Sequence, residues 1–332
     1  MNPKQQAGQL LMMGVAGPAV TDQQLTTMES YQVGSVVLLG DWNGRTQVRA
    51  ATGPLTSLNM AVPVVVAADQ EGGTIQRLQG TGLPPIPSAR KQATLTPAQI
   101  TANWQVWATQ LRAAGVRYNL APVADVVPAA KLSSNAPIGR LGRNYGTTPQ
   151  QASPRVAAAV TGMRTGGVAT SLKHFPGLGQ VTSNTDFAAA TDTTITRRDA
   201  GLGVFRAGID AGASSVMVSS AVYAKIDPDQ QAVFSRTIIT GMLRGDLGFT
   251  GVVISDDLGA AASVAKVPAG QRAVRFVAAG GDLVINANPA TIDDMSAALV
   301  ARAASDPAFA EQMAASATRV VELKQSLGIV RC

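Results

Sequence analysis

The sequence predicts an α/β fold, a single-domain (β/α)8 barrel of the TIM type. Eight short apolar segments recur along the 332 residues, and stretches with helical spacing separate most of them. Four of the apolar segments end in charged side chains, the position at which (β/α)8 proteins carry their functional groups. An open, doubly wound sheet is the alternative for such an alternation. It is disfavoured because no G-x-G-x-x-G fingerprint follows an early apolar segment.

The predicted strands are apolar runs, rich in Val, Ile, Leu and Ala, without regular polar alternation. Such continuous apolar character is typical of strands buried on both faces, as in a parallel sheet. Most of the runs end in Gly, Pro, Asn or a charged residue, where a strand gives way to a loop. In chain order they cover residues 10–16, 33–40, 63–69, 118–126, 168–174, 215–223, 251–257 and 282–288.

The predicted helices lie between these runs and carry capping signals. Thr21 and Thr96 are good N-cap residues, and a glycine follows the end of several helices. The helical segments are residues 22–32, 97–115, 149–166, 196–212, 235–247 and 268–280, and a last helix, about 308–327, is expected to pack outside the barrel. Because no Pro/Ser-rich linker interrupts residues 1–332, one domain is predicted. The long loop 127–149 is expected to border the functional site.

Composition narrows the class of partner. Apolar residues make up 46% and charged residues 14%, which is typical of a globular chain with a large core. Aromatic residues make up only 4%, so we expect no stacking platform for nucleic acid. The net charge of +6 is spread without a run of basic residues and indicates a solvated surface. Attraction to an anionic polymer such as cell-wall glycan is the alternative.

Cysteine and histidine are almost absent. The single cysteine, Cys332, excludes an internal disulfide framework, and with one histidine the sequence argues against a metal site. The start at Met1 lacks the features of a signal peptide, and the apolar run 10–20 is too short and broken to span a bilayer. We therefore expect a soluble, cytoplasmic protein as the sequence stands, or an exported or lipid-anchored one if a signal segment was trimmed.

Polar residues fall at the C-terminal ends of four predicted strands. These residues are Asp69, Asp125, the pair Lys173 and His174, and the pair Asp256 and Asp257. Strand ends in a barrel converge on one face, so we expect these groups to meet in one cleft. A single aspartate there would often cap the next helix, but capping does not readily explain four such ends.

The only histidine stands beside a lysine and before the turn 176–179, Pro-Gly-Leu-Gly. A lone histidine near an apolar strand is often structural. Its position beside Lys173 and this turn favours a functional site instead, and we interpret it as a sugar site. The glycines of the turn also suggest a loop that moves.

Two acidic clusters fit carbohydrate chemistry. Asp256 and Asp257 are neighbours on a strand, so only one is expected to face the mouth and attack an anomeric carbon. The other is expected to cap the following helix. Asp69 could accept bonds from two sugar hydroxyls, while Arg77 could hold acetamido or carboxylate oxygens. The alternative for this second cluster, residues 69–73, is a glycine turn with an ordinary surface arginine.

These motifs resemble those of glycoside hydrolase family 3 β-N-acetylglucosaminidases (NagZ type). The resemblance rests on Lys-His-Phe-Pro-Gly at 173–177, Asp-Gln-Glu-Gly-Gly at 69–73 and Ser-Asp-Asp-Leu at 255–258. Residues 120–126 and 243–249 are also similar to family motifs. The resemblance covers nearly the whole chain, with the motifs in the family's order.

The resemblance implies a cofactor-free hydrolase that removes terminal β-linked N-acetylglucosamine (GlcNAc) from peptidoglycan fragments during cell-wall turnover. We expect it to act as a monomer. By position, Asp256 would be the nucleophile that forms a covalent glycosyl intermediate. The residues that match the family's sugar contacts are Asp69, Arg77, Arg143, Lys173 and His174. Arg140 competes with Arg143, because the turn 139–145 is longer than the family's usual turn.

The sequence departs from the family at the proton donor. In the family the motif continues to Asp-Ser/Thr-His, and that histidine is the general acid/base on a mobile loop. Here the corresponding residues are Asn184, Thr185 and Asp186. Asp186 could serve as the acid if its pKa is raised.

Other outcomes stay open at this position. The proton could come from Glu71 or Asp125, or the protein could bind glycan with weak or no turnover. A dehydrogenase or phosphate enzyme on the same barrel is a remote alternative, since the chain lacks the fingerprints of both. We favour an active hydrolase that uses Asp186.

Overall fold

A closed barrel of eight parallel strands forms the centre of the computed structural model, which describes residues 1–330. Each strand pairs with its neighbours in chain order, and the first strand closes the ring against the last. The strands are β1 Leu11–Ala16, β2 Ser35–Leu39, β3 Val65–Ala68, β4 Tyr118–Asn119, β5 Ala169–Phe175, β6 Ser215–Val218, β7 Val252–Asp257 and β8 Leu283–Asn286. The predicted (β/α)8 fold is confirmed. Cys332 lies outside the described residues.

Helices surround the barrel. They are α1 Pro3–Gln9, α2 Asp22–Tyr31, α3 Arg45–Thr56, α4 Ala89–Gln92, α5 Pro97–Ala113, α6 Pro149–Thr165, α7 Leu202–Asp210, α8 Ala269–Ala278, α9 Ile292–Ser305 and α10 Pro307–Ser326. The segment Thr237–Asp246 winds as a π-helix after β6. Capping boxes at Thr21 and Thr96 start α2 and α5, because each threonine and the glutamine three residues later exchange bonds with the backbone. Within residues 1–330, no helix is both long and apolar enough to cross a membrane.

Two strands are shorter than the apolar runs that predicted them. β4 ends at Asn119, and the chain passes the cis peptide Ala121–Pro122 before Val123 bridges to β5 at Lys173. β6 ends at Val218, and Val222–Tyr223 joins a separate three-stranded sheet. Because both strands end early, irregular backbone follows them at the mouth of the barrel.

Apolar side chains fill the barrel, so it has no open lumen. Inward residues form one cluster, and a larger cluster packs between strands and helices. Four of the inward residues also line a cavity at the C-terminal mouth, namely Val37, Leu120, Met217 and Ile285. The packed interior therefore forms the apolar floor of that cavity.

Candidate active site

A cavity of about 240 Å³ opens where the C-terminal ends of the strands converge. All seven predicted site residues line it: Asp69, Arg77, Arg143, Lys173, His174, Asp186 and Asp256. A larger pocket of about 520 Å³ lies at the opposite end of the barrel, where arginines such as Arg117 and Arg164 dominate its polar lining. Of these two cavities, the one at the mouth gathers several carboxylates, which are the groups that acid/base and nucleophilic chemistry requires.

Asp256 and Asp257 both border the cavity, but their carboxylates differ in their hydrogen bonds. The carboxylate of Asp257 accepts bonds from the backbone nitrogens of Gly259 (2.8 Å), Ala260 (3.0 Å) and Ala287 (2.9 Å). It ties the turn after β7 to the end of β8, instead of capping a helix as predicted, because α8 begins only at residue 269. The carboxylate of Asp256 accepts one bond, from the Asp257 nitrogen (3.0 Å), and is the freer of the two.

The pKa of Asp256 is shifted strongly upward. Burial raises it to about 6; His174 opposes the shift, and the charge of Asp186 adds to it. Two carboxylates that feel each other's charge resist ionising together, as in the acid pairs of hydrolases. The charge of Asp186 therefore acts on Asp256 within the cavity that both residues line.

An ionic network covers one wall of the cavity. The ammonium of Lys173 contacts carboxylate oxygens of Asp69 and Glu71, each at 2.6 Å, and Arg143 binds both oxygens of Glu71 at 2.8 Å. Burial alone would raise the pKa of Glu71, but the charges of Arg143 and Lys173 lower it to about 2. Glu71 is thus held as an anion, which argues against the alternative that it donates the proton.

His174 is oriented by Asp125, which lies behind it. The Asp125 carboxylate accepts from the ring Nδ1 (2.7 Å) and from the backbone nitrogens of His174 (3.2 Å) and Leu178 (2.7 Å). This arrangement assigns the proton to Nδ1 and leaves Nε2 as an acceptor, 3.5 Å from the Arg143 guanidinium. The Asp125 side chain is fully buried and its oxygens are bound, which argues against the alternative that it donates the proton.

Two arginines bring cationic groups to the cavity from different loops. The Nε of Arg77 is buried, and no group in residues 1–330 forms a hydrogen bond with it. Arg143 is anchored by the Pro137 carbonyl (2.8 Å) besides Glu71. Arg140, its competitor in the sequence, is exposed and does not line the cavity. Arg77 therefore has an unsatisfied donor to offer a ligand.

Asp186 reaches the cavity on a loop that covers its rim. The loop is fastened by backbone bonds from Ala262 to the Asp186 carbonyl (3.1 Å) and from Ser263 to the Thr185 carbonyl (3.3 Å). Thr185 is buried, whereas the side chain of Asp186 borders both cavity and solvent. We call residues 179–190 the rim loop.

Sequence reasoning missed the partners that hold these groups in place. Glu71 was considered only as a proton donor, yet it is the acid that pairs with Lys173 and Arg143. The signal that could have identified Glu71 as a site residue is its place in the motif 69–73, directly before two glycines. The support of His174 by Asp125 joins β5 to the chain after β4, and no local pattern reports such a contact.

A barrel mouth that gathers the carboxylates of Asp256 and Asp186 beside cationic and acidic hydrogen-bonding groups has the composition of a glycoside hydrolase site. Residues 4–323 match the glycosyl hydrolase family 3 N-terminal domain. The chain therefore belongs to glycoside hydrolase family 3, and its motif resemblance is confirmed.

Individual relatives agree on the class. The chain is 34% identical over 315 residues to a beta-hexosaminidase of Stenotrophomonas maltophilia (strain K279a), covering 90% of each. The beta-N-acetylhexosaminidase from Beutenbergia cavernae DSM 12333 has a similar structure, with a TM-score of 0.94, 41% identity and coverage of 98% of this chain and 99% of that one. A family 3 beta-N-acetylglucosaminidase from Paenibacillus sp. str. FPU-7 gives a TM-score of 0.87 at 28% identity, covering 99% of this chain and 63% of that one. The predicted enzyme class, a β-N-acetylhexosaminidase, is confirmed.

Proposed function

We propose that the chain is a retaining exo-β-N-acetylglucosaminidase that uses Asp256 as nucleophile and Asp186 as acid/base. The observation that carries this proposal is the pair itself. Asp256 and Asp186 line one cavity, and the charge of Asp186 helps to raise the pKa of Asp256, while Asp257, Glu71 and Asp125 are bound to other partners. Retaining glycosidases use such a pair, about 5 Å apart, across the scissile bond.

The reaction would run in two steps. First, the Asp256 carboxylate attacks the anomeric carbon while Asp186 gives its proton to the departing glycosidic oxygen. Then Asp186, now ionised, takes a proton from water, and that water attacks the anomeric carbon and frees Asp256. Asp186 regains from water the equivalent of the proton that it gave to the leaving group, and both carboxyl groups return to their starting states, so no cofactor is consumed.

The remaining residues of the cavity would hold the sugar. Asp69 and Lys173 present a paired acceptor and donor for ring hydroxyls, and Nε2 of His174 lies beside the Arg143 guanidinium at 3.5 Å. Arg77 and Arg143 would hold hydroxyl or acetamido oxygens. The apolar floor blocks the barrel below, which supports removal of one terminal residue rather than cleavage within a chain.

We propose terminal GlcNAc on peptidoglycan fragments as the natural substrate, in cell-wall turnover. The relatives' printed names, beta-hexosaminidase and beta-N-acetylglucosaminidase, support a GlcNAc-containing substrate. We further propose that one chain acts as a single catalytic domain and a monomer, since the proposed groups all come from one barrel mouth. A glycan-binding protein with little turnover is the second candidate, because the family's catalytic histidine is replaced by Asp186.

One comparison tests the roles of the two carboxylates. Rates are measured on the β-1,4-linked GlcNAc disaccharide and on a nitrophenyl β-GlcNAc whose leaving group needs little protonation. Asp186→Asn should slow the disaccharide about 10²–10⁴-fold and the nitrophenyl substrate far less. Asp256→Ala should abolish both rates, while Asp229→Asn, which alters an exposed carboxylate outside the cavity, is the control.

Two results would decide against these assignments. Equal loss on both substrates, or no loss on either, removes Asp186 as the acid. A wild-type protein that binds GlcNAc but hydrolyses neither substrate favours the glycan-binding alternative.

A further inference from the structure

We propose that Phe187 and Leu141 form the subsite for the leaving-group sugar, a platform that stacks on the apolar face of a second hexosamine ring. Four large apolar side chains are exposed within residues 1–330: Met1 (50%), Val106 (56%), Leu141 (36%) and Phe187 (81%). Leu141 lines the cavity itself, and Phe187 follows Asp186 on the rim loop. The inference rests on the proposed function, because it needs Asp186 to face the scissile bond.

The position of the acid fixes where the second sugar begins. A general acid lies about 3 Å from the oxygen it protonates, and that oxygen is bonded to the leaving-group ring. The Cα of Phe187 is about 3.8 Å from that of Asp186 because the two are joined by one peptide. Phe187 does not line the cavity that would hold the first sugar. It therefore lies within reach of the second ring and outside the first.

The rim loop holds Phe187 in place without burying it. The backbone nitrogens of Phe187 and Ala188 both donate to the Asn184 carbonyl, at 3.1 and 3.0 Å, which closes a turn. The bonds from Ala262 and Ser263 fasten the same segment to the loop after β7. A phenyl ring on an anchored turn loses little further freedom when a ligand stacks on it.

The ligand class follows from the chemistry of the surface. A β-linked GlcNAc ring carries its substituents equatorially, so its axial C–H bonds give each face an apolar patch. Such a face matches a flat phenyl ring and an aliphatic side chain, which offer area but no hydrogen bonds. A leaving group without a ring would gain nothing from this surface.

The test uses two substrates that differ in the leaving group. Phe187→Ala should lower kcat/KM for the GlcNAc disaccharide about five- to twenty-fold more than for N-acetyl-β-glucosaminyl fluoride, whose leaving group has no ring. Phe187→Trp should restore the disaccharide rate, and Phe187→Leu should restore it only in part because it lacks a flat face. Leu141→Ala should show the same selectivity to a smaller degree. Val106→Ala, an exposed apolar residue on α5, is the matched control.

A binding measurement separates this inference from the proposed function. In the Asp256→Asn background, calorimetry should show that Phe187→Ala weakens the disaccharide about five- to twenty-fold more than it weakens GlcNAc. This selectivity supports the platform even if the wild-type protein turns nothing over. Equal effects on both ligands, or none, would overturn it. So would a wild-type dimer that Phe187→Ala dissociates, because the ring would then serve contact between copies.

Discussion

Four aspartates at the barrel mouth differ only in what surrounds them. Asp257 has its oxygens filled by backbone nitrogens, Asp125 supports His174, and Asp69 pairs with Lys173. Asp256 receives a single backbone bond in a desolvated place beside a second carboxylate. The surroundings thus determine whether an aspartate holds a turn in place, orients a histidine, forms an ion pair or is available to react.

The raised pKa of Asp256 predicts how activity depends on pH. Below about pH 6 the carboxyl group is protonated in the free enzyme and cannot attack a sugar. We expect kcat/KM on the nitrophenyl substrate to fall on the acid side, with a limb near pH 6. A limb near pH 4 would show that Asp256 titrates like an ordinary aspartate.

The same shift predicts a pH-dependent gain in stability for Asp256→Asn. Because the folded-state pKa of about 6 exceeds the ordinary aspartate pKa of 3.8, stability falls as pH rises through this window. The penalty is complete above about pH 6 and absent below about pH 4. Removing it should stabilise the variant by about 1–2 kcal/mol at pH 7.5, allowing for solvent in the cavity.

Urea unfolding at pH 7.5 and 3.5 measures this gain and its loss. Asp257→Asn is the matched control, because it weakens three backbone bonds and should be destabilising. An Asp256→Asn variant less stable than wild type at pH 7.5 would contradict the expectation.

Individual residues were predictable to the extent that they stand in contiguous motifs. Lys173, His174 and Asp256 lie at the C-terminal ends of strands. A correct assignment of the strands therefore places them at the mouth of the barrel. The sequence could not show that Arg143 rather than Arg140 lines the cavity. That outcome depends on how a turn without regular structure places the two guanidinium groups. Pairings such as Glu71 with Arg143 cross between separate segments and need the folded chain.

The elements that the sequence predicted best have strong local signals. The Thr-capped helices α2 and α5 appear with nearly the predicted bounds. Helices α3 and α9 were missed; neither has a side-chain cap, and Pro54 stands inside α3. Helix α1 was also missed, although Asn2 and Gln5 form a capping box. The Thr-capped helices α2 and α5 were therefore predicted accurately, whereas the capping box that starts α1 was overlooked.

The start of the rim loop tolerates no side chain at one position. A Cβ on Gly179 would lie 1.8 Å from the Val126 carbonyl oxygen. The side chain of Asn135 also holds the carbonyls of Leu178 (2.7 Å) and Val181 (2.8 Å). The rim loop therefore begins from a fixed base, in addition to its backbone bonds at Thr185 and Asp186.

Gly179→Ala should displace this base and misplace Asp186. We expect a loss of about 1–3 kcal/mol of stability from the forced backbone shift, together with a fall in kcat/KM of about 10²-fold. The control is Gly203→Ala in α7, where an added Cβ meets nothing within 4 Å and should stabilise the helix by about 0.5–1 kcal/mol. Thermal unfolding and disaccharide kinetics measure both. Wild-type kinetics in the Gly179→Ala variant would contradict the role of the anchored base in positioning Asp186.

Across the whole molecule, buried charges differ in whether their partner is charged or neutral. At the mouth, buried ions are paired, as Glu71 is with Lys173 and Arg143. Away from the site, Lys324 of α10 is fully buried, and its ammonium donates to the side chain of Gln9, the last residue of α1 and a neutral partner. Burial lowers the pKa of Lys324 to about 7. No sequence pattern distinguished this lysine from the solvated ones.

Lys324→Met should stabilise the protein in a pH-dependent way. Below about pH 7 the ammonium is charged in both states, so its desolvation penalty is complete. Between about pH 7 and the ordinary lysine pKa of 10.5, the folded protein releases the proton first, and wild-type stability rises. The gain of the variant should be about 1–3 kcal/mol at pH 6, partly offset by the unpaired Gln9 oxygen, and should shrink towards pH 10. Chemical unfolding across this range measures it, with exposed Lys91→Met as control. An equal destabilisation at pH 6 and 9.5 would mean that the bond to Gln9 outweighs the cost of burying the charge.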